Sequence, residues 1–200
     1  MRARFFFFSA LVCLLFLQSI FAHVPYFESH VISNISVSQV HYFEIQQPGV
    51  REIKIISRGE PLYLMFAVPR IERLKNYRPT FELIDPNGNV VEHFSTASIE
   101  PRLYHEEFGD TYEWIYYEKE FPTQPGTYVL KVTSNGPGKF WISVGRVEKF
   151  SIMDIIALPV TVARVRIFHE EFPILWWGWI ILTLLGLGVW GIVSLVKGGG

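Results

Sequence analysis

Between residues 37 and 147, apolar and polar side chains trade places in short runs, each closed by Gly, Pro, Asn or Asp. His41-Tyr42-Phe43-Glu44-Ile45 stops at Gln46-Gln47-Pro48-Gly49, and Glu52-Ile53-Lys54-Ile55-Ile56 alternates before Arg58-Gly59-Glu60. Alternation of period two sends every second side chain to one face, so both runs predict half-buried strands. Leu62-Tyr63-Leu64-Met65-Phe66-Ala67-Val68 is apolar throughout and predicts a central strand covered on both faces.

Thr80-Phe81-Glu82-Leu83-Ile84 runs into Asp85-Pro86-Asn87-Gly88-Asn89 and continues as Val90-Val91-Glu92-His93-Phe94. Proline presets its own dihedral and Asn-Gly accepts positive ones, so the pattern predicts a hairpin. Further strands are predicted from Tyr112 to Phe121, from Tyr128 to Val132 after Gln124-Pro125-Gly126, and from Lys139 to Val144 after Asn135-Gly136-Pro137-Gly138. Strands at this spacing without intervening helices predict an all-β fold, an antiparallel β-sandwich.

The two ends follow a different pattern. Residues 5–21 form an apolar run behind Arg2 and Arg4 that ends at Ala22, which predicts a signal peptide over residues 1–22 with cleavage exposing His23. Ile20, at the minus-three position, is larger than usual there, so an uncleaved signal anchor is the alternative. Residues 174–196 are apolar without one charged side chain. At about 1.5 Å per residue they reach roughly 34 Å, enough to cross a hydrocarbon core, and they predict a transmembrane helix. Trp176, Trp177 and Trp179 stand at its leading end and Lys197 opens a cytoplasmic tail over 197–200. The predicted topology is single-pass type I, with the body outside.

Between body and span, Met153, Ile156, Val160, Ala163 and Ile167 recur at helical spacing. They predict a juxtamembrane amphipathic linker over residues 151–173, lying on the membrane surface with Arg164 and Arg166 near phosphates. Alternation from Thr161 to Phe168 also fits a strand. Pro159 suits the first turn of a helix and tips the reading toward one, in two pieces or kinked.

Charge narrows the function classes. The body holds all 19 Asp and Glu and lacks only Arg2, Arg4 and Lys197 of the 18 Lys and Arg, leaving it at −4, which is no nucleic-acid footprint. The body contains no cysteine, since Cys13 belongs to the signal, so the sandwich over residues 23–150 must be stable without disulfides.

Leu83-Ile84-Asp85-Pro86-Asn87-Gly88-Asn89, Pro125-Gly126-Thr127-Tyr128-Val129-Leu130-Lys131-Val132 and Gly138-Lys139-Phe140-Trp141-Ile142-Ser143-Val144 together resemble the ending of bacterial pre-peptidase C-terminal type domains. The resemblance covers roughly residues 37 to 147. It implies a jelly-roll-like β-sandwich of the kind appended to exported proteins as a binding, targeting or spacer unit. The chain departs from the usual setting, since no protease precedes the module and an apolar segment follows it. In architecture alone it is also similar to Golgi-dynamics domain cargo receptors, but it lacks their luminal cysteine pair and coiled coil.

Candidate chemistry is sparse. An N-terminal His23 offers its α-amine and imidazole to Cu(II), a speculative copper site whose second imidazole would come from His30, His41, His93 or His105, none at a diagnostic spacing. Tyr104, His105, Glu106, Glu107, Asp110 and Trp114 form a candidate binding face: the carboxylates offer oxygens to calcium, the aromatics stack on sugars or peptides, and the plain alternative is a solvated acidic loop. The chain holds no G-x-S-x-G, no H-E-x-x-H and no facing carboxylate pair, so no catalytic residue is assigned and a non-enzyme is expected. The sequence therefore predicts a membrane-anchored extracytoplasmic β-sandwich acting as a non-catalytic binding or accessory module. Its partners are membrane lipid through the C-terminal helix and another envelope protein or a glycan, with no cofactor other than the speculative copper. A copper-binding envelope protein using His23 is the alternative.

Overall fold

The computed structural model describes residues 23–149 and 151–175, together with residues 178, 183, 186, 188 and 190. The predicted signal over 1–22, most of the apolar segment 174–196 and the tail 197–200 lie outside the described residues, as do the side chains of residues 155 and 156. Among the described residues no helix is long and apolar enough to cross a membrane.

Eleven strands follow in order: β1 Val24–Phe27, β2 Val31–Ile32, β3 Gln39–Ile45, β4 Gly49–Ser57, β5 Leu62–Pro69, β6 Thr80–Ile84, β7 Val90–Ser95, β8 Arg102–Glu106, β9 Thr111–Phe121, β10 Gly126–Ser134 and β11 Gly138–Val144. A helix, α1, Ile152–Phe168, comes after them. The strands form a six-stranded sheet in the order β1-β3-β11-β5-β9-β8 and a five-stranded sheet in the order β2-β4-β10-β6-β7. Pairing is antiparallel except at one edge of each sheet, where β1 joins β3 and β2 joins β4 in parallel. The predicted sandwich is thus present, and every strand expected from alternation is found.

Alternation explains the core. Phe43, Phe66, Phe81 and Phe140, each fully buried, point between the sheets. Phe140 stacks on Phe43 at 5.1 Å and on Phe66 at 5.4 Å, and Phe66 meets Phe81 of the other sheet at 5.4 Å. Offset ring pairs at these distances add about 0.5–1.5 kcal/mol each beyond the area they bury. The β6–β7 hairpin closes as its residues demand: Asp85 Oδ1 accepts the backbone N–H groups of Asn87 and Asn89 at 2.8 Å, and Gly88 takes a positive φ of 88°.

Three strands escape the sequence pattern. β1 contains Pro25 and pairs only at an edge, β2 has two residues, and β8 is mostly polar. β8 takes in Tyr104, His105 and Glu106 of the stretch whose alternative reading is an acidic loop, and residues 107–110 form the turn after it. Its outer-face residues are drawn into a second, smaller core outside the six-stranded sheet, where α1 lies.

α1 settles the choice between strand and helix over 161–168, and it runs unbroken through Pro159 rather than as two pieces. Ser151 caps its start: its side chain accepts from the Asp154 N–H, while Asp154 accepts the Ser151 N–H at 2.7 Å. This reciprocal box satisfies two otherwise orphaned donors. The predicted stripe is not the one packed on the sheet. Val165 and Phe168 are buried against Val40, Tyr42, Ala67, Ile115 and Trp141, and Val162 is buried too, whereas Met153, Val160 and Ile167 point outward. The sheet-facing stripe was hidden because α1 is apolar on both sides, and periodicity alone does not rank two apolar faces.

Candidate functional site

The outer face of the six-stranded sheet carries charged groups where the end of α1 meets it. Alternation along β9 turns Thr111, Glu113 and Ile115 outward, and on β11 it turns out Lys139 and Trp141. An outward side chain is normally solvated. Here the helix covers the face, and Glu113 and Lys139 are buried.

Glu113 accepts hydrogen bonds on both oxygens. Trp141 Nε1 donates to Oε2 at 2.8 Å, Thr111 Oγ1 donates to Oε1 at 3.1 Å, and His169 Nε2 lies 2.5 Å from Oε1. The other ring nitrogen of His169, Nδ1, faces the Val165 carbonyl at 2.7 Å. Both nitrogens thus face acceptors, an arrangement that only the doubly protonated imidazolium satisfies. Burial by itself pulls the His169 pKa down, but the Glu113 hydrogen bond and charge, helped by the Val165 carbonyl, outweigh it and hold the pKa above its ordinary value.

His169 is also the C-cap of α1, and the turn after it is a Schellman motif: Glu170 N–H donates to the Ile167 carbonyl at 3.0 Å and Glu171 N–H to the Arg166 carbonyl at 2.9 Å. The motif needs a left-handed residue at its centre. Glycine usually supplies it, but here Glu170 does, with φ of 60°. Its carboxylate explains the choice. Glu170 accepts from Arg73 Nε at 2.9 Å and from Lys139 Nζ at 3.0 Å, and these cations, Arg73 foremost, lower its pKa to about 2. Lys139 Nζ also donates to the Phe168 carbonyl at 2.9 Å, so a buried cation caps the negative end of the helix.

The opposite side of the helix end is held by the β8–β9 turn. Arg166 donates to the Gly109 carbonyl at 2.7 Å and to that of Asp110 at 3.2 Å. Glu106 stiffens this turn by accepting from the Phe108 and Gly109 N–H groups, at 3.0 and 2.6 Å. Burial pushes the Glu106 pKa up against those two bonds. Gly109 fits closely where it sits, because a Cβ there would lie 2.8 Å from Val165 Cγ1. Beside this junction a cavity of about 20 Å³, lined by His23, Met65, Tyr104, Glu106 and Phe108 among others, has room for roughly one water molecule.

The structure divides the candidate face predicted around β8. Tyr104 and Glu106 point to the α1 side and line the cavity. His105 points the other way, stacking on Tyr112 at 4.7 Å and pairing with Asp110 at 2.9 Å, and Glu107 is exposed. Trp114 packs against the core between the sheets. Tyr112, Arg70 and His105 remain together on the exposed side, with the Arg70 guanidinium 5.7 Å from the Tyr112 ring centre.

His23 lies at the rim of the same cavity with Nδ1 against Ser38 Oγ, and burial lowers its pKa. His41 faces the opposite side of β3, stacked on Tyr26, its pKa lowered by burial to about 4. His93 belongs to the other sheet, and His30 is next to Arg51. Among the described residues no three His, Cys, Asp or Glu side chains gather in a metal-holding group. The junction of Glu113, Lys139, His169 and Glu170 is what sequence reasoning missed. Its outward sign was a glutamate and a lysine, Glu113 and Lys139, each set among aromatic residues of its strand.

No family profile and no curated protein matches the chain. Among solved structures, the pre-peptidase C-terminal domain of a collagenase from Bacillus anthracis is similar at 14% identity and a TM-score of 0.36, covering 62% of this chain and 96% of that domain. The Yersinia pseudotuberculosis-derived mitogen is similar at 15% identity and a TM-score of 0.32, over 58% of this chain and 92% of that one. PliG, a periplasmic lysozyme inhibitor of g-type lysozyme from Salmonella Typhimurium, is similar at 10% identity and a TM-score of 0.30, over 62% and 98%. The resemblance to pre-peptidase C-terminal domains read from the turns and strands is met again in the first of these.

Proposed function

We propose that this chain is an exported β-sandwich held at a membrane by residues 174–196, and that it works as a non-catalytic binding or accessory module. The observation that carries the reading is the junction at the end of α1. Glu113, Lys139, His169 and Glu170 are spent on one another and on the helix terminus, and the cavity beside them holds about one water. Polar groups so fully paired serve to fix the helix, not to receive a substrate. Four residues after Glu170 the sequence becomes apolar and stays uncharged through residue 196.

A sandwich joined to its anchor through a locked helix presents its remaining loops in a fixed orientation, which suits recognition by loops on a rigid scaffold. The face left for a partner protein or a glycan is the exposed side of the β8–β9 hairpin, with Tyr112, His105 and Arg70. The reading is tested by protease treatment of intact cells, of spheroplasts and of detergent-opened membranes carrying the full chain. The sandwich should sediment with membranes and be cut from the outside; a body released by salt washing, or protected until detergent is added, would overturn the proposal.

A further inference from the structure

α1 has a second apolar face turned away from the sheet, touching the sandwich through Arg164. At 100° per residue, Met153, Ala157, Val160, Arg164 and Ile167 fall within about 40° of one line down the helix, opposite the buried Val162 and Val165. Met153 is 70% exposed, Val160 65% and Ile167 59%. A helix on the surface of a water-soluble domain places charged residues along such a line. Here Arg164 is the one charged member of the stripe, its guanidinium 4.2 Å above the Phe27 ring. Ile152 and Phe172, also exposed, extend the apolar strip at its two ends.

We infer that this stripe is a membrane-resting face: α1 lies along the lipid surface, its inner side on the sheet and its outer side at the boundary of headgroups and acyl chains. The inference rests on the reading of residues 174–196 as the anchor. Two observations favour lipid over a protein partner. The stripe runs by way of Phe172 into the apolar segment six residues after α1 ends, so the chain beyond the helix holds this face near the bilayer. The stripe is also a straight line of flexible and branched aliphatic side chains with a cation among them. An arginine in such a line reaches phosphate while the aliphatic side chains beside it sink below it. The six-stranded sheet is then the membrane side of the sandwich. The five-stranded sheet, β2-β4-β10-β6-β7, faces away.

The test uses the full chain in vesicles of phosphatidylcholine and phosphatidylglycerol, with Cys13→Ser as background and one spin-labelled cysteine at a time. Met153→Cys, Val160→Cys and Ile167→Cys probe the stripe, Thr183→Cys probes the anchor, and Thr133→Cys probes the exposed face of β10. Collision with oxygen, which enters lipid, is compared with collision with a water-soluble nickel chelate. The inference expects an oxygen-to-nickel ratio at the three stripe positions several-fold above that at residue 133, and on the same side as residue 183. Nickel access at the stripe with residue 183 in lipid would overturn it while leaving the anchor standing. Exclusion of both reagents from the stripe would overturn it in favour of a covering protein surface. Nickel access at residue 183 would instead be failure of the anchoring reading itself.

Discussion

Glu113 and His169 face one another at 2.5 Å with both side chains almost wholly buried, 1% and 2% exposed. They are 56 residues apart in sequence and belong to different elements, the middle of a strand and the end of a helix. Paired charges in such a place add modest net stability, yet either one left alone is costly, because the survivor keeps its desolvation penalty without its partner.

Glu113→Ala should therefore destabilise the protein by about 3–5 kcal/mol, since it strands the imidazolium and also frees Trp141 Nε1 and Thr111 Oγ1. Chemical denaturation of the purified chain measures this. Combined with His169→Phe, the loss should be clearly less than the sum of the two single losses. Additive losses would show that the two side chains do not act as a pair.

The pair also sets a pH dependence. The folded-state pKa of His169 is raised, so its contribution is fully present below the unfolded value of about 6.5 and is lost as pH rises through the folded value. Glu170 works in the opposite sense. Its depressed pKa gives a contribution present above the ordinary glutamate range and lost as pH falls toward about 2. Limited proteolysis within α1 should accelerate at both extremes. His169→Gln should remove the alkaline limb and spare the acid one; an alkaline limb that persists in this variant would assign it to another group.

Gly109→Ala should cost about 1–3 kcal/mol, the usual range for overpacking, because the new methyl group meets Val165 Cγ1 at 2.8 Å. Adding Val165→Ala should return part of the loss by making room. Thermal unfolding of the single and double variants distinguishes this from simple stiffening of the turn, in which Val165→Ala would only add damage.

Pro159 stands inside a continuous helix, where it withholds one backbone donor and crowds the preceding turn. Pro159→Ala should raise stability by roughly 1–3 kcal/mol, seen as a higher unfolding midpoint with no change in where the sandwich sediments. An unchanged midpoint would mean that the backbone around residue 155 satisfies itself without the proline nitrogen.

The strands were legible because burial on one face writes itself as alternation, and turn chemistry fixed their ends, as at Asp85 to Asn89. β8 was not. Its Tyr104 and Glu106 are polar residues turned toward a second core, and a half-buried glutamate reads like an exposed one until the segment that covers it is placed. The helix was legible as a helix but not in its orientation. Val162, Val165 and Phe168 mark one face, and Met153, Val160 and Ile167 mark another just as apolar. The junction itself depends on contacts across 56 residues, between a strand glutamate and the histidine after a helix. No local pattern encodes such a contact.

Glu170 sits in a left-handed turn with Arg73 on one side and Lys139 on the other, each from a different part of the sandwich. That turn leaves the joint no free swivel. Pinned from two sides, the end of α1 moves with the sandwich as one body, so a pull on the chain just after Glu170 would load the Arg73 and Lys139 contacts before it reached the sheets.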